Sequence, residues 1–592
     1  MDTLSPRALV GQLADDLDWL ERHARRQPDP GRLAGLLRLA SAVARNVIGP
    51  ALDGQEPSPL HVVVVGGAGA GKSTVSNFLS GSSASEANPQ AGFTRHPIAF
   101  TSMVGPINWA AHLGFLGPLT RLTTPAPSSL DQDVYQVRRV PADPGGIDLL
   151  ADWVVWDCPD MTTWAAEGYV NRLIEAAGLA DVVVYAASDE RYNDEIPTEF
   201  LRMLLEAGKP VVCCLLKMKE ADAPALIEHF KKEVAAKMPP GVVGVLPIPH
   251  LSPAQLADPL KQAAKFRIPL LNQVAVFGGK PAATRARTVQ GATRFLVLQQ
   301  QRFLDVARSD VQALEAWSGL VRSGQEEFEA RYQREYLATE KFRGFDEALM
   351  RLMQLLELPG VGQIVSGTLA AVRYPFQLLG GWLFKAVARP DAPTRLEQPI
   401  LEESFAAWLD TSHKEAGRRA SEHPLWSHIA AGFRNGHLAG SARERFAASY
   451  RDFQASYAAE VDRTARSIYE HLERKPVLLN SLRTSKLGLE VAAIGGTILT
   501  GGLGWNLLLV PVIASVTHQL VEMLGRGVVD AEREATRKRM AGVLRSSMSG
   551  PLADWLAGWP ASGDSPFGRL QLALRRLPQS IAALDSRVRA HR

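Results

Sequence analysis

Cysteine is nearly absent: among 592 residues there are three, Cys158, Cys213 and Cys214, two of them adjacent. That excludes a disulfide framework, and no cysteine–histidine spacing suits a metal, so a reducing cytoplasmic setting is expected. Net charge is also small, +3 from 65 basic and 62 acidic residues. No long basic run or basic–aromatic patch adds to it, so nucleic acid is not expected as a partner. The first twenty residues carry Asp15, Asp16 and Asp18 and no apolar run, so no secretory signal is expected. No internal repeat is evident. What the chain has is length and an ordinary globular balance, 46% apolar and 21% charged, enough for roughly three or four domains.

The texture changes along the chain. Leucines at helical spacing in residues 7–48, broken at Pro28-Asp-Pro-Gly31, predict two amphipathic helices. From His61 to about Pro249, β-branched runs at 62–65, 153–156, 182–185, 211–216 and 242–248 alternate with patterned helices. Strands apolar on both faces with helices between them predict a mostly parallel sheet covered on both sides. Weaker strands are expected near 96–101 and 134–140, flanking a loop-rich insertion. Beyond about residue 285 only helical patterns follow, near 286–318, 323–357, 397–418, 440–473 and 530–549. The fold class expected is therefore an α/β domain with a mostly parallel sheet, followed by a large all-α bundle or stalk. The expected boundaries are terminal helices over 1–57, joining the bundle; the nucleotide domain over 58–280; a helical bundle over 281–480; a Gly-rich apolar hairpin over 481–529; and C-terminal helices over 530–592.

The chemistry is concentrated after the strand Val62–Val65. Residues Gly66, Gly67, Ala68, Gly69, Ala70, Gly71, Lys72 and Ser73 match G-x-x-x-x-G-K-[ST], with a helix predicted from Lys72. Glycines let backbone N–H groups converge on a phosphate, and the helix N-terminus adds a favourable dipole. Lys72 offers a charge to the β- and γ-phosphates, and Ser73 a hydroxyl ligand for magnesium. With Thr74 beside them, these residues are the expected nucleotide-binding loop, and the α/β domain is expected to be a P-loop NTPase domain. A second piece is Asp157, ending the strand Trp153–Trp156 and followed by Cys158-Pro159-Asp160. A carboxylate there can hold magnesium through water, opposite the loop serine. A third is Thr94, in the loop Asn88–Pro97 ahead of a strand, where a threonine can close over magnesium and the γ-phosphate.

In this order, P-loop, loop threonine and Asp-x-Pro-Asp, residues 58–250 resemble the translation-factor-related P-loop GTPases of bacterial type. The flanking helices resemble the dynamin-like branch. The resemblance implies magnesium with GTP as cofactor, Lys72 and Ser73 in the P-loop, Thr94 in switch I, and Asp157 with Asp160 in switch II. Lys72 and Thr94 are the residues it implies in catalysis; Ser73, Thr94 and Asp157 are those it implies for the metal. Two departures stand out. The family reads guanine with Asn/Thr-Lys-x-Asp after the fifth core strand. Here Lys217-Met218-Lys219 follows Val211–Leu216. Lys217 can lie along the base, but Lys219 cannot accept hydrogen bonds from guanine N1 and N2, so the motif is degenerate and ATP is not excluded; Asp222 is the one substitute nearby. Met161 occupies the place where some relatives carry a water-orienting glutamine, and neither Ala68 nor Gly69 supplies a polar group. Slow intrinsic hydrolysis is expected, with Arg95 or Arg191 as candidate charge-stabilising residues.

Two apolar stretches, 359–384 and 491–517, interrupt the helical half. The second has no charged residue but carries several glycines and Pro511, with basic residues on both flanks. Its length suffices to cross a bilayer as a helix. Both flanks basic favour a re-entrant hairpin or a wedge in one leaflet over a single span. A buried hairpin in a soluble bundle is the alternative. The function expected is a dynamin-like, slow GTPase switch coupled through a helical bundle to a membrane lipid surface or to self-assembly through the nucleotide domain. It would be peripheral or re-entrant on the cytoplasmic face of the inner membrane. The competing reading is a soluble P-loop ATPase or nucleotide-dependent signalling scaffold.

Overall fold

The computed structural model describes residues 4–26, 31–54, 59–86, 93–104, 107–110, 114–142, 148–161, 166–190, 192–252, 254–255, 258–339, 342–356, 396–477, 505–563 and 565–590. They form two compact units, residues 1–308 with 569–592, and residues 309–568.

The first unit is built on eight strands: β1 (Leu60–Gly66), β2 (Ile98–Ser102), β3 (Thr120–Arg121), β4 (Val134–Val140), β5 (Trp153–Asp157), β6 (Val182–Ser188), β7 (Val211–Leu216) and β8 (Val242–Ile248). Their order across the sheet is β3-β4-β2-β5-β1-β6-β7-β8. Strand β2 runs antiparallel to β5, and every other neighbouring pair is parallel. The helices of this unit include α1 (Pro6–Ala24), α2 (Gly31–Val43), α3 (Lys72–Ser80), α4 (Ala166–Leu179), α5 (Glu195–Glu206), α6 (Ala223–Glu233), α7 (Ala264–Gly278) and α8 (Pro281–Asp305).

Both faces of the sheet are covered, which is why its central strands are apolar at consecutive positions. On one face Val62, Val64, Val155 and Cys214 pack with Phe78 and Leu79 of α3 and Leu270 and Leu271 of α7. On the other, Val63, Val65, Trp156 and Cys213 pack with leucines of α1, α2, α4 and α5. Adjacent Cys213 and Cys214 thus point to opposite faces, and both are buried free thiols. The mostly parallel, two-sided sheet expected from the strand texture is observed.

The second unit is helical: α9 (Arg308–Tyr332), α10 (Gly344–Leu355), α11 (Glu397–Arg418), α12 (Pro424–Arg434), α13 (His437–Glu473), α14 (Trp505–Leu524), α15 (Arg526–Leu544) and α16 (Gly550–Gly558). Its core is aromatic, with Trp317, Trp426, Tyr332, Tyr336 and Tyr457 almost fully buried. Within it Trp317 Nε1 donates to the Leu556 carbonyl at 3.0 Å, and half-buried Arg539 donates to Glu532 at 2.8 Å and also to Glu460. The last helix, α17 (Pro566–Ala590), enters the first unit from Arg569 onward. There Arg569 and Arg576 pair with Asp16 of α1, a carboxylate with no exposed surface, at 3.0 and 2.5 Å.

Helix limits differ from the sequence reading along 286–357: the expected break at 319–322 falls inside α9, and the expected helix 323–357 is divided, its first part ending by Leu337 and α10 starting at Gly344. Residues 286–318 read as one helix, but the chain turns at Val306–Ala307, where Ala307 N–H bonds the Leu304 carbonyl at 3.1 Å. Neither glycine nor proline marks that turn. The apolar stretch 359–384 lies outside the described residues, as do 491–504 of the second; residues 505–517 belong to α14, which runs through Pro511. Among the described residues no helix is long and apolar enough to cross a membrane.

Candidate nucleotide-binding site

Strand β1 delivers the chain to Gly66 between two neighbours, with Val64 opposite Asp157 of β5 and Gly66 opposite Ala186 of β6. A Cβ at Gly66 would collide with the Ala186 carbonyl oxygen, so only glycine lets the loop leave the sheet here. The loop closes at Gly71, with φ +93°, where an added Cβ would sit 2.8 Å from the Leu216 side chain. Helix α3 then begins at Lys72, as the motif predicts, and its free N–H groups face the loop.

Three side chains expected at the phosphate site are brought together. Lys72 is buried and donates from Nζ to the Gly67 carbonyl at 3.0 Å. Burial lowers its pKa, and the charges of Asp160, then Asp157, oppose the shift. Ser73 Oγ donates to Asp157 Oδ2 at 3.0 Å. Burial raises the Asp157 pKa, against hydrogen bonds from Ser85 and Ser73 and the charge of Lys72. The other carboxylate oxygen, Oδ1, is buried without a hydrogen-bond partner. Ser76 Oγ lies near enough to favour the carboxylate but makes no well-formed hydrogen bond.

This arrangement fits magnesium and a phosphate chain. Lys72 Nζ is hydrogen-bonded to a backbone carbonyl rather than held in a direct ion pair, so its ammonium is placed to receive a phosphate oxygen. A buried carboxylate with an orphan oxygen beside a serine hydroxyl is a hard oxygen donor pair, which suits magnesium when phosphate and water complete the shell. Among the described residues no group of three or more His, Cys, Asp or Glu forms a metal cage.

Thr94 is buried, in the loop ahead of β2. Because β2 is antiparallel to β5, with Ile98 opposite Asp157, this loop approaches the sheet at the P-loop end. Its next residues are fixed by hydrogen bonds. Arg95 N–H donates to the Ser128 carbonyl at 2.9 Å. His96, fully buried, donates from Nδ1 to the Leu130 carbonyl at 2.8 Å and accepts at Nε2 from Gln136 at 2.5 Å. Gln136 is itself oriented by two bonds to the Ala126 backbone, at 3.0 and 2.8 Å, so His96 is held as the neutral Nδ1–H tautomer. Burial lowers its pKa. Arg95 faces Asp131 at 3.6 Å, and Arg191 lies outside the described residues.

The other expected residues are spread more widely. Gly67, Ala68, Gly69 and Ala70 line the loop, and Thr74 lies half-buried in the first turn of α3. Asp160 is buried, close enough for its charge to act on Lys72. Met161 is buried in the apolar core that includes Trp156. At the end of β7, Lys217 is exposed with φ +67° and its N–H bonds the Ile248 carbonyl at 3.1 Å. Lys219 and Asp222 are exposed, and Glu220 between them pairs with Lys265 at 2.8 Å.

Ser85 was not anticipated: its hydroxyl donates to Asp157 Oδ2 at 2.5 Å. It sits in the polar run Gly81–Glu86, where nothing local separates it from its neighbours. Arg172, which reaches the Arg95 carbonyl from α4, was likewise missed.

Residues 61–217 match the family model of the 50S ribosome-binding GTPases. No curated protein matches the chain. Two solved structures of an oligomerised bacterial dynamin pair, a mechanism for long-range sensing and tethering of membranes, span similar lengths. One is 12% identical with a TM-score of 0.36, covering 91% of this chain and 90% of its own. The other is 11% identical with a TM-score of 0.34, covering 95% and 96%. That likeness is too loose to assign anything. The matched segment is a P-loop GTPase domain.

Proposed function

We propose that this chain is a dynamin-like GTPase switch in which Lys72, Ser73, Thr94 and Asp157 hold a magnesium-bound nucleoside triphosphate. The observation that carries the reading is the convergence of Lys72, Ser73 and Asp157 at the end of β1, with a buried carboxylate oxygen left unpartnered. In this reading the loop from Gly66 to Gly71 cradles the phosphates and Lys72 neutralises charge on the β- and γ-phosphates. Bound magnesium would supply the charge that polarises the γ-phosphate. Ser73 and Asp157 orient that shell, and Thr94 closes over it. Met161, committed to the core, leaves no water-orienting group at its position, so unaided hydrolysis is slow and is raised by a partner or a second copy. The fusion of this domain to a long helical unit supports coupling to self-assembly. The apolar, basic-flanked stretch 491–517 supports a peripheral or re-entrant site on the cytoplasmic face of a membrane.

The test is phosphate release from GTP and ATP in parallel, with Lys72→Ala as control and with anionic vesicles present or absent. GTP turnover lost in Lys72→Ala and raised by vesicles is expected. Turnover indifferent to Lys72→Ala would overturn the site, and absence from the vesicle pellet with every nucleotide would overturn the membrane role. A second reading, ATP as substrate, is favoured by Lys219, which offers guanine no acceptor; clear ATP preference in the same assay would establish it.

A further inference from the structure

The loop carrying Thr94 is tied to α4 through the buried side chain of Arg172. Arg172, 5% exposed, donates from Nη1 to the Arg95 carbonyl at 2.7 Å and to Asp131 at 2.8 Å, and from Nε to Asp133 at 2.8 Å. The Arg95 N–H is taken by Ser128 at 2.9 Å. The peptide planes on both sides of Arg95 are therefore pinned, one by the 126–133 loop and the other by Arg172. Thr94 belongs to the first of those planes. In the chain, α4 follows the Asp157–Met161 segment.

We infer that Arg172 is a positioning residue that latches the Thr94 loop to the helix following Asp157, so that both sides of the γ-phosphate move as one. A guanidinium suits this because its rigid fork can serve three acceptors in different directions, which an ammonium on a flexible stem cannot hold together. Two of the acceptors, Asp131 and Asp133, have side chains 45% and 66% exposed. The acceptors are thus partly wet while the donor is buried, which lets the latch open without unfolding the core. The inference rests on the reading of Thr94 as the residue that closes on the γ-phosphate.

The test compares fluorescent GDP and GTPγS affinity, and single-turnover GTP hydrolysis, in wild type, Arg172→Lys, Asp131→Asn/Asp133→Asn and Thr94→Ala. Unchanged GDP affinity reports an intact fold and P-loop. Arg172→Lys is expected to lose the preference for triphosphate over diphosphate and to slow hydrolysis about 100-fold, the scale of a small misplacement at a reacting centre. The Asp131/Asp133 variant should move the same way to a smaller extent, and it keeps the test valid should Arg172→Lys misfold. If Thr94→Ala loses the triphosphate preference while both latch variants keep it, the latch is overturned and the site reading stands. Equal losses of GDP and GTPγS affinity would reduce Arg172 to a structural residue and overturn the latch. If Thr94→Ala behaves as wild type, the reading of Thr94 fails and the latch fails with it.

Discussion

In the proposed site the phosphate end draws its chemistry from one short run, Gly66 to Ser73, completed by Asp157 on the neighbouring strand. The proposed base end, beyond β7, carries the exposed side chains of Lys217 and Lys219, with Lys219 where the resembled family has an acceptor for guanine. The phosphate end is buried and over-determined: replacing Gly66 or Gly71 collides with Ala186 or Leu216, and Lys72 and Asp157 shift each other's proton affinity. Beyond β7 the loop is fastened by backbone bonds, Lys217 N–H on Ile248 and His250 N–H on the Met218 carbonyl at 3.0 Å, by the buried Met218 side chain and by the exposed pair Glu220–Lys265. In the proposed site the phosphate contacts fall on sterically constrained positions, whereas the base contacts fall on exposed side chains.

Substitutions can break that contrast in order of expected effect. Lys72→Ala should weaken GTPγS binding by ~100-fold or more, since losing one partner of a buried charge contact costs about 3 kcal/mol; titration with a fluorescent analogue measures it. Asp157→Asn should raise the magnesium concentration needed for triphosphate binding by about 10–100-fold, as for a residue acting on a metal through its shell; a magnesium titration at fixed GTPγS reads this out. Lys219→Asp sharpens the contrast from the other side. Restoring an acceptor for guanine N1 and N2 should raise the GTP-over-ATP preference by about tenfold, one well-made hydrogen-bond pair's worth. Competition between the two nucleotides checks it, and no change would mean that the base lies elsewhere.

The smallest effect concerns pH. His96 faces the Leu130 carbonyl and Gln136, with Arg138, Arg172 and Glu86 nearby. Its folded-state pKa is below the unfolded value, so the neutral form stabilises the fold. That contribution is complete above the unfolded pKa, near 6.5, and is lost as pH falls through the folded one. A His96→Gln variant, neutral at all pH, should lose less stability between pH 7 and 5 than wild type in urea unfolding.

The contiguous parts were readable in advance. Val62–Val65, the P-loop and the helix from Lys72 follow from adjacent residues, because strand alternation, glycine freedom and helix-dipole chemistry act over a few positions. Asp157 was readable because it ends an apolar strand. The turn at Val306–Ala307 was not, since no glycine or proline marks it. Nor was Ser85, whose contact with Asp157 spans 72 positions, or Arg172, whose contact with the Arg95 carbonyl spans 77. Asp16 is a sharper case. In the sequence it is one of the acids near the N-terminus that count against a signal; in the fold it is fully buried against Arg569 and Arg576. A charge carries no information about distance until the chain has folded around it.

The most direct measurement is the affinity of wild-type protein for GTPγS and for GDP, each with magnesium and with EDTA. If Ser73, Asp157 and Thr94 build a magnesium-triphosphate switch, removing magnesium weakens GTPγS much more than GDP. Equal weakening of both, or none, would contradict it.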